Sequence, residues 1–471
     1  MMGNRKSAWA FSGVVGLALG LLTWNSAYAA GMWNLDQGAS HYGRGGANIA
    51  SPDDPSAVYV NPAALAGLEG FQLMLGVNYN YDSRSFARAP DNEGFGGVER
   101  TFEEVSNLEG PSPSPNIFAS YNFAGSGLTL GAGLWGPPKT NREFDADGAQ
   151  RYSSVHGRDI MAHYVMSAAY QSSWRNLRLG ASFGGTSVVV DSSLKLNVYE
   201  MRQAVSPEKE DPDWDVSAKL SGVEHGIPMG ILGASVDLWK NGTLALAFQL
   251  PFDVKAEGEV DMEVGEGLTL FKLPDEEIVQ GKDITVQLNL PPVLRLAVKQ
   301  TYAKANVEAA IVWEGWSRTA KTTITPDNIT FNTAVRDPIP LPVIELETKL
   351  RDTYSFRLGG EYVVSEGILV RGGTYYERAA IGGGRLNPSQ FDLDKAGVTL
   401  GGRIALGAGL YLDAAVGVAN WFEKEVTDSK VVFNDPAPND PPIGDHWSLG
   451  NGTYSNTQIF SMVALGGKFD I

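Results

Sequence analysis

Beyond residue 30, polar residues interrupt the apolar ones at nearly every second position, and this alternation limits the fold more than any other feature of the chain. A period of two belongs to a β-strand with one apolar and one polar face. Ile160, Ala162, Tyr164, Met166, Ala168 and Tyr170 share one face of such a strand, with His163, Ser167 and Gln171 on the other. The stretch 177–189 sets Leu177, Leu179, Ala181, Phe183 and Val189 against Arg178, Gly180, Ser182 and Thr186. In 395–406, Ala396, Val398, Leu400, Ile404 and Leu406 oppose Lys395, Thr399 and Arg403. The same alternation leaves no later segment with the roughly 20 consecutive apolar residues of a transmembrane helix.

Residues 1–29 read as a cleaved signal peptide. Arg5 and Lys6 form a positive n-region, an apolar stretch runs over 8–22, and Ala27-Tyr28-Ala29 supplies the small residues a signal peptidase reads. The chain is therefore exported. Its net charge of −17 becomes more negative once Arg5 and Lys6 are removed, and this sign excludes a nucleic-acid partner, which needs a basic footprint. With no cysteine, disulfide scaffolds, thiolate metal sites and cysteine nucleophiles are excluded together. An exported chain that alternates in this way is either a soluble β-protein or a membrane barrel.

About fourteen strands start near residues 71, 116, 127, 160, 176, 228, 242, 283, 304, 353, 367, 393, 409 and 457. Short turns at 124–126, 172–175, 240–241, 302–303, 365–366 and 407–408 alternate with long polar loops at 191–227, 259–282, 317–352 and 423–456. Turns sorted into a short and a long set, with an even strand count, describe an antiparallel transmembrane β-barrel of the outer membrane. In it the apolar face meets lipid and the polar face lines the lumen. The alternatives are a secreted sandwich, whose turns do not sort this way, and a solenoid, which needs a fixed repeat that is not present. The final strand, with Ile459, Val463, Leu465, Phe469 and Ile471 on one face, fits a terminal signal for the barrel assembly machinery.

Residues 30–70 do not alternate. They run through Gly38-Ala39-Ser40, Gly43-Arg44-Gly45-Gly46-Ala47, Asp53-Asp54-Pro55-Ser56-Ala57 and Asn61-Pro62-Ala63-Ala64. This ordered series resembles the N-terminal hatch of the FadL-type hydrophobic-compound transporters. The Gly-rich strand ending Gly131-Ala132-Gly133-Leu134-Trp135-Gly136-Pro137-Pro138 and the Trp313/Trp316 strand extend the likeness. The Pro-Pro pair after Gly136 and the displaced terminal Phe469 depart from the family pattern and leave substrate identity open.

The resemblance implies a hatch over 30–70 in the lumen of a barrel over 71–471. It also implies passive uptake of long-chain fatty acids, or of aromatic or aliphatic hydrocarbons, with release sideways through the wall. Arg44, Asn61, Pro62 and Ala63 are then the hatch and gating residues, and Gly136, Pro137 and Pro138 frame the exit. Proline donates no ladder hydrogen bond, so the pair fits either an opening or an ordinary strand end. Arg44 and the Asp53/Asp54 pair also read as structural ties to lumen charges. Alternation places Arg178, Arg295, Arg357, Arg371, Arg403, Glu308, Glu314, Glu361 and Asp413 on the lumen face. A carboxylate ligand needs an arginine without an ion-pair partner, such as Arg178, Arg357 or Arg371, whereas a bracing network uses them all. Phe118, Trp135, Tyr375, Tyr411, Trp421 and Phe460 form the candidate apolar lining, in a register that a one-residue slip would reverse. Trp214, Leu268, Leu270 and Phe271 lie in the loops that would form an outer capture groove.

Enzymatic and cofactor readings find little support. The five histidines lack ligand spacing, and Gly131-x-Gly133-x-x-Gly136 opens no helix. Asp145-x-Asp147-Gly148 reads as a solvated acidic loop rather than a metal site. The remaining expectations are a monomer, in contact with lipid and lipopolysaccharide, that takes up hydrophobic small molecules. The rivals are a structural or receptor barrel sealed by its hatch, and a general porin, against which the forty-residue plug argues.

Overall fold

The computed structural model describes residues 37–50, 52–91, 99–136, 141–197, 210–269, 279–319, 321–333, 336–340, 343–347, 349–431 and 448–469. The expected signal peptide lies outside the described residues, as do Pro137, Pro138, Leu270, Phe271 and Ile471.

Fourteen antiparallel strands close into a barrel. They are β1 (Phe71–Asp82), β2 (Ser112–Phe123), β3 (Leu128–Trp135), β4 (His156–Gln171), β5 (Arg178–Leu196) and β6 (Val216–Trp239). Next come four strands in two segments each: β7 (Gly242–Gln249, Phe252–Val264), β8 (Asp283–Leu290, Val293–Thr301), β9 (Ala305–Glu314, Lys321–Pro326) and β10 (Ile344–Glu347, Thr353–Ser365). The last are β11 (Ile368–Glu377), β12 (Lys395–Gly407), β13 (Leu410–Val426) and β14 (Gly452–Phe469). β1 pairs with β2 from Phe71↔Tyr121 and with β14 from Phe71↔Phe469, so the ring has no free edge.

The register is the one alternation predicts. Leu134, Met166, Phe183, Leu232, Leu400 and Val463 are exposed on the outside, while Ser167, Ser182, Arg371, Arg403 and Asp413 are buried inside. All the short connections lie at the end where the chain enters β1 and leaves β14.

The opposite end departs from expectation. The loop expected at 191–227 is largely strand, because β5 runs on to Leu196 and β6 starts at Val216. Similarly, β7 reaches Val264, β13 reaches Val426 and β14 starts at Gly452. The expected 317–352 loop holds segments of β9 and β10, and Thr330–Thr333 and Arg336–Pro340 build a small sheet with Val279–Gln280. The physical reason is an inverted pattern. Beyond the lipid-facing band the outward residues are polar, such as Asp191 and Lys219. The inward ones, Leu194, Leu196, Val216, Leu220, Val254 and Val286, are apolar and buried against one another. The lumen face is thus not uniformly polar: it is polar and charged on one side and apolar on the upper side of β5–β9.

Three neighbouring strands make this switch with an irregularity at one height. β6 carries a bulge, its pairing with β5 shifting between Thr186↔Ile227 and Val188↔Glu224, and Gly226 takes φ 76°. β7 breaks at Leu250-Pro251 and β8 at Pro291-Pro292, where proline donates no ladder bond.

Residues 37–50 and 52–68 run through the lumen. Helix α1 (Ala39–Gly43) packs on β11–β14, whereas α2 (Ala57–Val60) and the 3₁₀ turn Pro62–Gly67 pack on the facing wall, against β3–β6.

Candidate functional site in the lumen

The lumen segment is fixed to the charged wall by ion pairs. Arg44, just after α1, donates to Asn48 Oδ1 (3.1 Å) and Asn306 Oδ1 (2.6 Å) and faces Glu308 (3.8 Å) and Glu361 (3.9 Å). Glu308 Oε1 accepts the N–H groups of Ile49 (2.5 Å) and Ala50 (3.1 Å). Asp53 meets Arg403 at 2.7 Å and Arg371 at 3.4 Å. Asp413 joins the same two arginines at 2.5 and 2.6 Å, and Arg371 also reaches Glu361 at 3.3 Å. Asp54 lies 3.6 Å from Arg403 and accepts from Ser40 Oγ at 2.6 Å.

On the facing wall the contact is steric and apolar. Asn61 Nδ2 donates to the Ile49 carbonyl (3.0 Å) and its Oδ1 accepts the Ala63 N–H (3.2 Å), while Pro62 opens the 3₁₀ turn, where its missing donor costs nothing. Ser182 Oγ on β5 donates to the Val58 carbonyl at 2.7 Å. Both walls admit backbone contact only where a side chain is missing. A Cβ at Gly180 would overlap the Pro62-Ala63 peptide, and one at Gly373 would overlap the Arg44 carbonyl.

Next to this docking surface lies a chain of rings. Phe118 stacks on Trp135 (centroids 5.7 Å apart), Trp135 contacts Tyr59 of α2 (5.1 Å) and His163 (5.2 Å), and His163 meets Phe252 (6.3 Å). Arg295 is 2% exposed, and its Nη2 donates to the Tyr59 hydroxyl at 3.0 Å with the guanidinium over the same ring. Its Nη1 has no hydrogen-bond partner, and neither amide atom of Gln249, fully buried on the adjacent strand, has one either. Ala247, Val293, Val312 and Ala297 surround Arg295 on the paired strands.

The candidates named from sequence are therefore spread apart. Phe118 and Trp135 belong to the ring chain. Phe460 packs on Tyr42 of α1, and Tyr411 lies under Arg403. Tyr375 faces Arg357, which pairs with Glu377 at 3.8 Å, and Trp421 lies under Lys395. Arg371 is held by carboxylates, and Arg178 lies half-buried at the short-turn end, donating to Gln171. None of these three arginines stands in the ring chain. The sequence singles out neither Tyr59, Gln249 nor Phe252; it places His163 on the polar face of its strand, where with Ser167 it makes only a faint hydrolase pair, and Arg295 among the lumen charges. The one available signal was Tyr59, two residues before Asn61-Pro62-Ala63. Just after β3, part-way up the wall, the Gly136 carbonyl accepts from Ser114 Oγ (2.5 Å) and Gln37 Nε2 (3.3 Å). Trp214 is buried in the turn Pro212–Trp214 and packs on Gly267 of the next loop, joining two outer loops. Leu268 lies in that second loop, within Glu266–Thr269.

A closed barrel with a lipid-facing apolar band and a lumen traversed by its own N-terminal segment defines an outer-membrane transport barrel. The family described as outer membrane protein transport protein (OMPP1/FadL/TodX) matches residues 20–437, and the chain belongs to it. A FadL homologue of Pseudomonas aeruginosa shares the fold at TM-score 0.74 and 17% identity, over 94% of this chain and 100% of that one. The toluene transporter TodX of P. putida matches at TM-score 0.65 and 16% identity (92% and 99% covered). The Ralstonia pickettii toluene transporter TbuX matches at 0.61 and 16% (92% and 98%). No curated protein sequence is a significant match. The chain is thus an outer-membrane transporter of hydrophobic compounds and not an enzyme.

Proposed function

We propose that this protein takes up long-chain fatty acids passively, with residues 30–70 as the hatch and the wall beside Gly136 as a lateral exit. The observation that carries the fatty-acid reading is Arg295. It is buried among apolar neighbours, and among the described residues none of its contacts is a carboxylate and one guanidinium nitrogen is left without a partner. A carboxylate head would supply that partner, with Gln249 Nε2 as a second donor, while the tail lies along Trp135, His163 and Phe252. Burial of each tail methylene adds roughly 0.8 kcal/mol. The exit reading is supported by the Gly136 carbonyl, which is taken by the side chains of Ser114 on β2 and Gln37 of the hatch segment rather than by a ladder N–H.

The ring chain, together with the fold shared with two toluene transporters, favours aromatic hydrocarbons as the second reading. Lipid and lipopolysaccharide on the outer surface, assembly through the terminal strand ending at Phe469, and a monomeric state complete the proposal.

The test is uptake of labelled oleate and of toluene by cells with and without the protein, and with Arg295→Leu. Loss of oleate uptake in the variant, with toluene unaffected, is expected. Equal oleate uptake by the variant refutes the role of Arg295. If neither solute depends on the protein, the structural or receptor reading replaces transport.

A further inference from the structure

The wall between β6 and β7 is unpaired over a stretch at the height of their irregularities. The ladder runs from Gly242 to Gln249↔Ile231 and resumes at Glu257↔Val223 in an unchanged register. Between these limits, 224–229 and 251–256 face each other without pairing, over roughly 17 Å at about 3.3 Å per residue. The edges of this interruption are chemically finished. Pro228 and Pro251 have no N–H to satisfy. The Gly226 N–H donates to the Tyr164 hydroxyl at 3.1 Å, the Lys255 N–H to the Glu224 carboxylate, and the Leu250 N–H to the Gly230 carbonyl at 2.9 Å. A strand separation that arose only from poor fit would leave these donors orphaned.

The two faces of the gap differ in chemistry. On the lumen side Ile227, Met229, Phe252 and Val254 are buried and apolar, and Phe252 continues the ring chain through His163 to Trp135. On the outer side His225 and Lys255 are exposed above the apolar outward residues Leu250, Leu246 and Leu232. The carboxylate of Asp253 is paired with Arg318 at 2.7 Å and that of Glu224 accepts the Lys255 N–H, while the Lys255 ammonium forms no ion pair among the described residues.

We propose that this gap is a second lateral port, through which a single-chain anionic amphiphile in the outer leaflet passes its tail into the lumen while its head rests on Lys255. The proposal rests on the transport reading and deepens it, placing a point of entry on the same wall as the exit at Gly136, three strands away.

Because the chain has no cysteine, His225→Cys with Lys255→Cys makes a unique pair, in register across the gap and exposed on both sides. The reduced pair lacks the Lys255 ammonium and should carry labelled palmitate more slowly than the parent; oxidation should abolish that remaining uptake and reduction should restore it. Uptake by the oxidised pair equal to that of the reduced form overturns the port. Lys255→Glu alone should slow palmitate but leave a neutral alkane unchanged, and equal slowing of both overturns the role of the head group. Should the reduced pair and the parent carry no palmitate, the transport reading itself fails. A diazirine-bearing palmitate then decides the port separately: label on Ile227 or Met229 at the gap supports it, and label confined to Trp135, His163 and Phe252 removes it.

Discussion

Glu308 holds the lumen segment at two successive amides, so Glu308→Ala should release the segment without opening the barrel. The side chain is fully buried, accepts from Ile49 and Ala50, and faces Arg44 at 3.8 Å. Hydrogen bonds to a charged group contribute about 1.5–3 kcal/mol each, and breaking a buried ion pair from one side costs about 3–5 kcal/mol. These terms overlap, and about 4 kcal/mol for the whole substitution shifts the docked-to-released ratio about a thousandfold. Glu308→Gln retains one oxygen for the Ile49 N–H and should cost about 1–2 kcal/mol. The assay is thiol modification of a cysteine at Ser40, which is buried in α1, in each background. Gel mobility before and after heating reports barrel integrity. Modification should rise in the order parent, Glu308→Gln, Glu308→Ala, with barrel mobility unchanged. Equal modification in all three would refute the claim that this carboxylate docks the segment.

Gly373→Val should release the segment as well, because its Cβ meets the Arg44 carbonyl, whereas Gly372→Ala next to it has room and should be neutral in the same thiol assay. Burial pushes Asp215, in the outer loops, up to about 6, against the attraction of Arg151 and a hydrogen bond from Tyr152. The folded state then binds a proton more readily than the unfolded chain, so this group adds stability as pH falls from about 6 towards 4. Asp215→Asn should remove that increment, and an unchanged stability profile over this window would count against it. Trp214→Ala should speed amide exchange at 210–215 and 265–267 and leave β1 and β14 unaffected, since Trp214 packs on Gly267 across the two outer loops.

Wherever the chain crosses lipid, its sequence could be read. Apolar side chains there must point outward, and Met166, Phe183 and Leu400 do so while Ser167, Ser182 and Arg403 point inward. Beyond the lipid the same period of two persists with the apolar side turned inward, so the pattern reads as loop at Val216 and Leu220, which lie on β6. The residues of the lumen site escaped for a different reason. Arg295 and Arg371 occupy equivalent positions by alternation, yet one lies beside Tyr59 and the other between two aspartates. That distinction is made by contacts across more than 200 residues of chain, as Arg295 with Tyr59 and Arg371 with Asp53 illustrate, and no local pattern carries it.

The two walls hold the lumen segment by interactions of different character, and this bears on which side can yield. Arg44, Asp53 and Asp54 sit in a closed set of buried charges on β9–β13, where separating any pair strands an ion in a low dielectric. α2 and the Pro62–Gly67 turn meet β3–β6 chiefly through apolar side chains and close backbone contact, which a hydrophobic ligand can replace without leaving a charge unpaired. The ring chain, Arg295 with its unpartnered Nη1, and the β6–β7 gap all lie on or beside that second wall. A hydrophobic solute therefore meets least electrostatic resistance between α2 and the β3–β8 wall, with α1 and its ion pairs remaining as the fixed side of the passage.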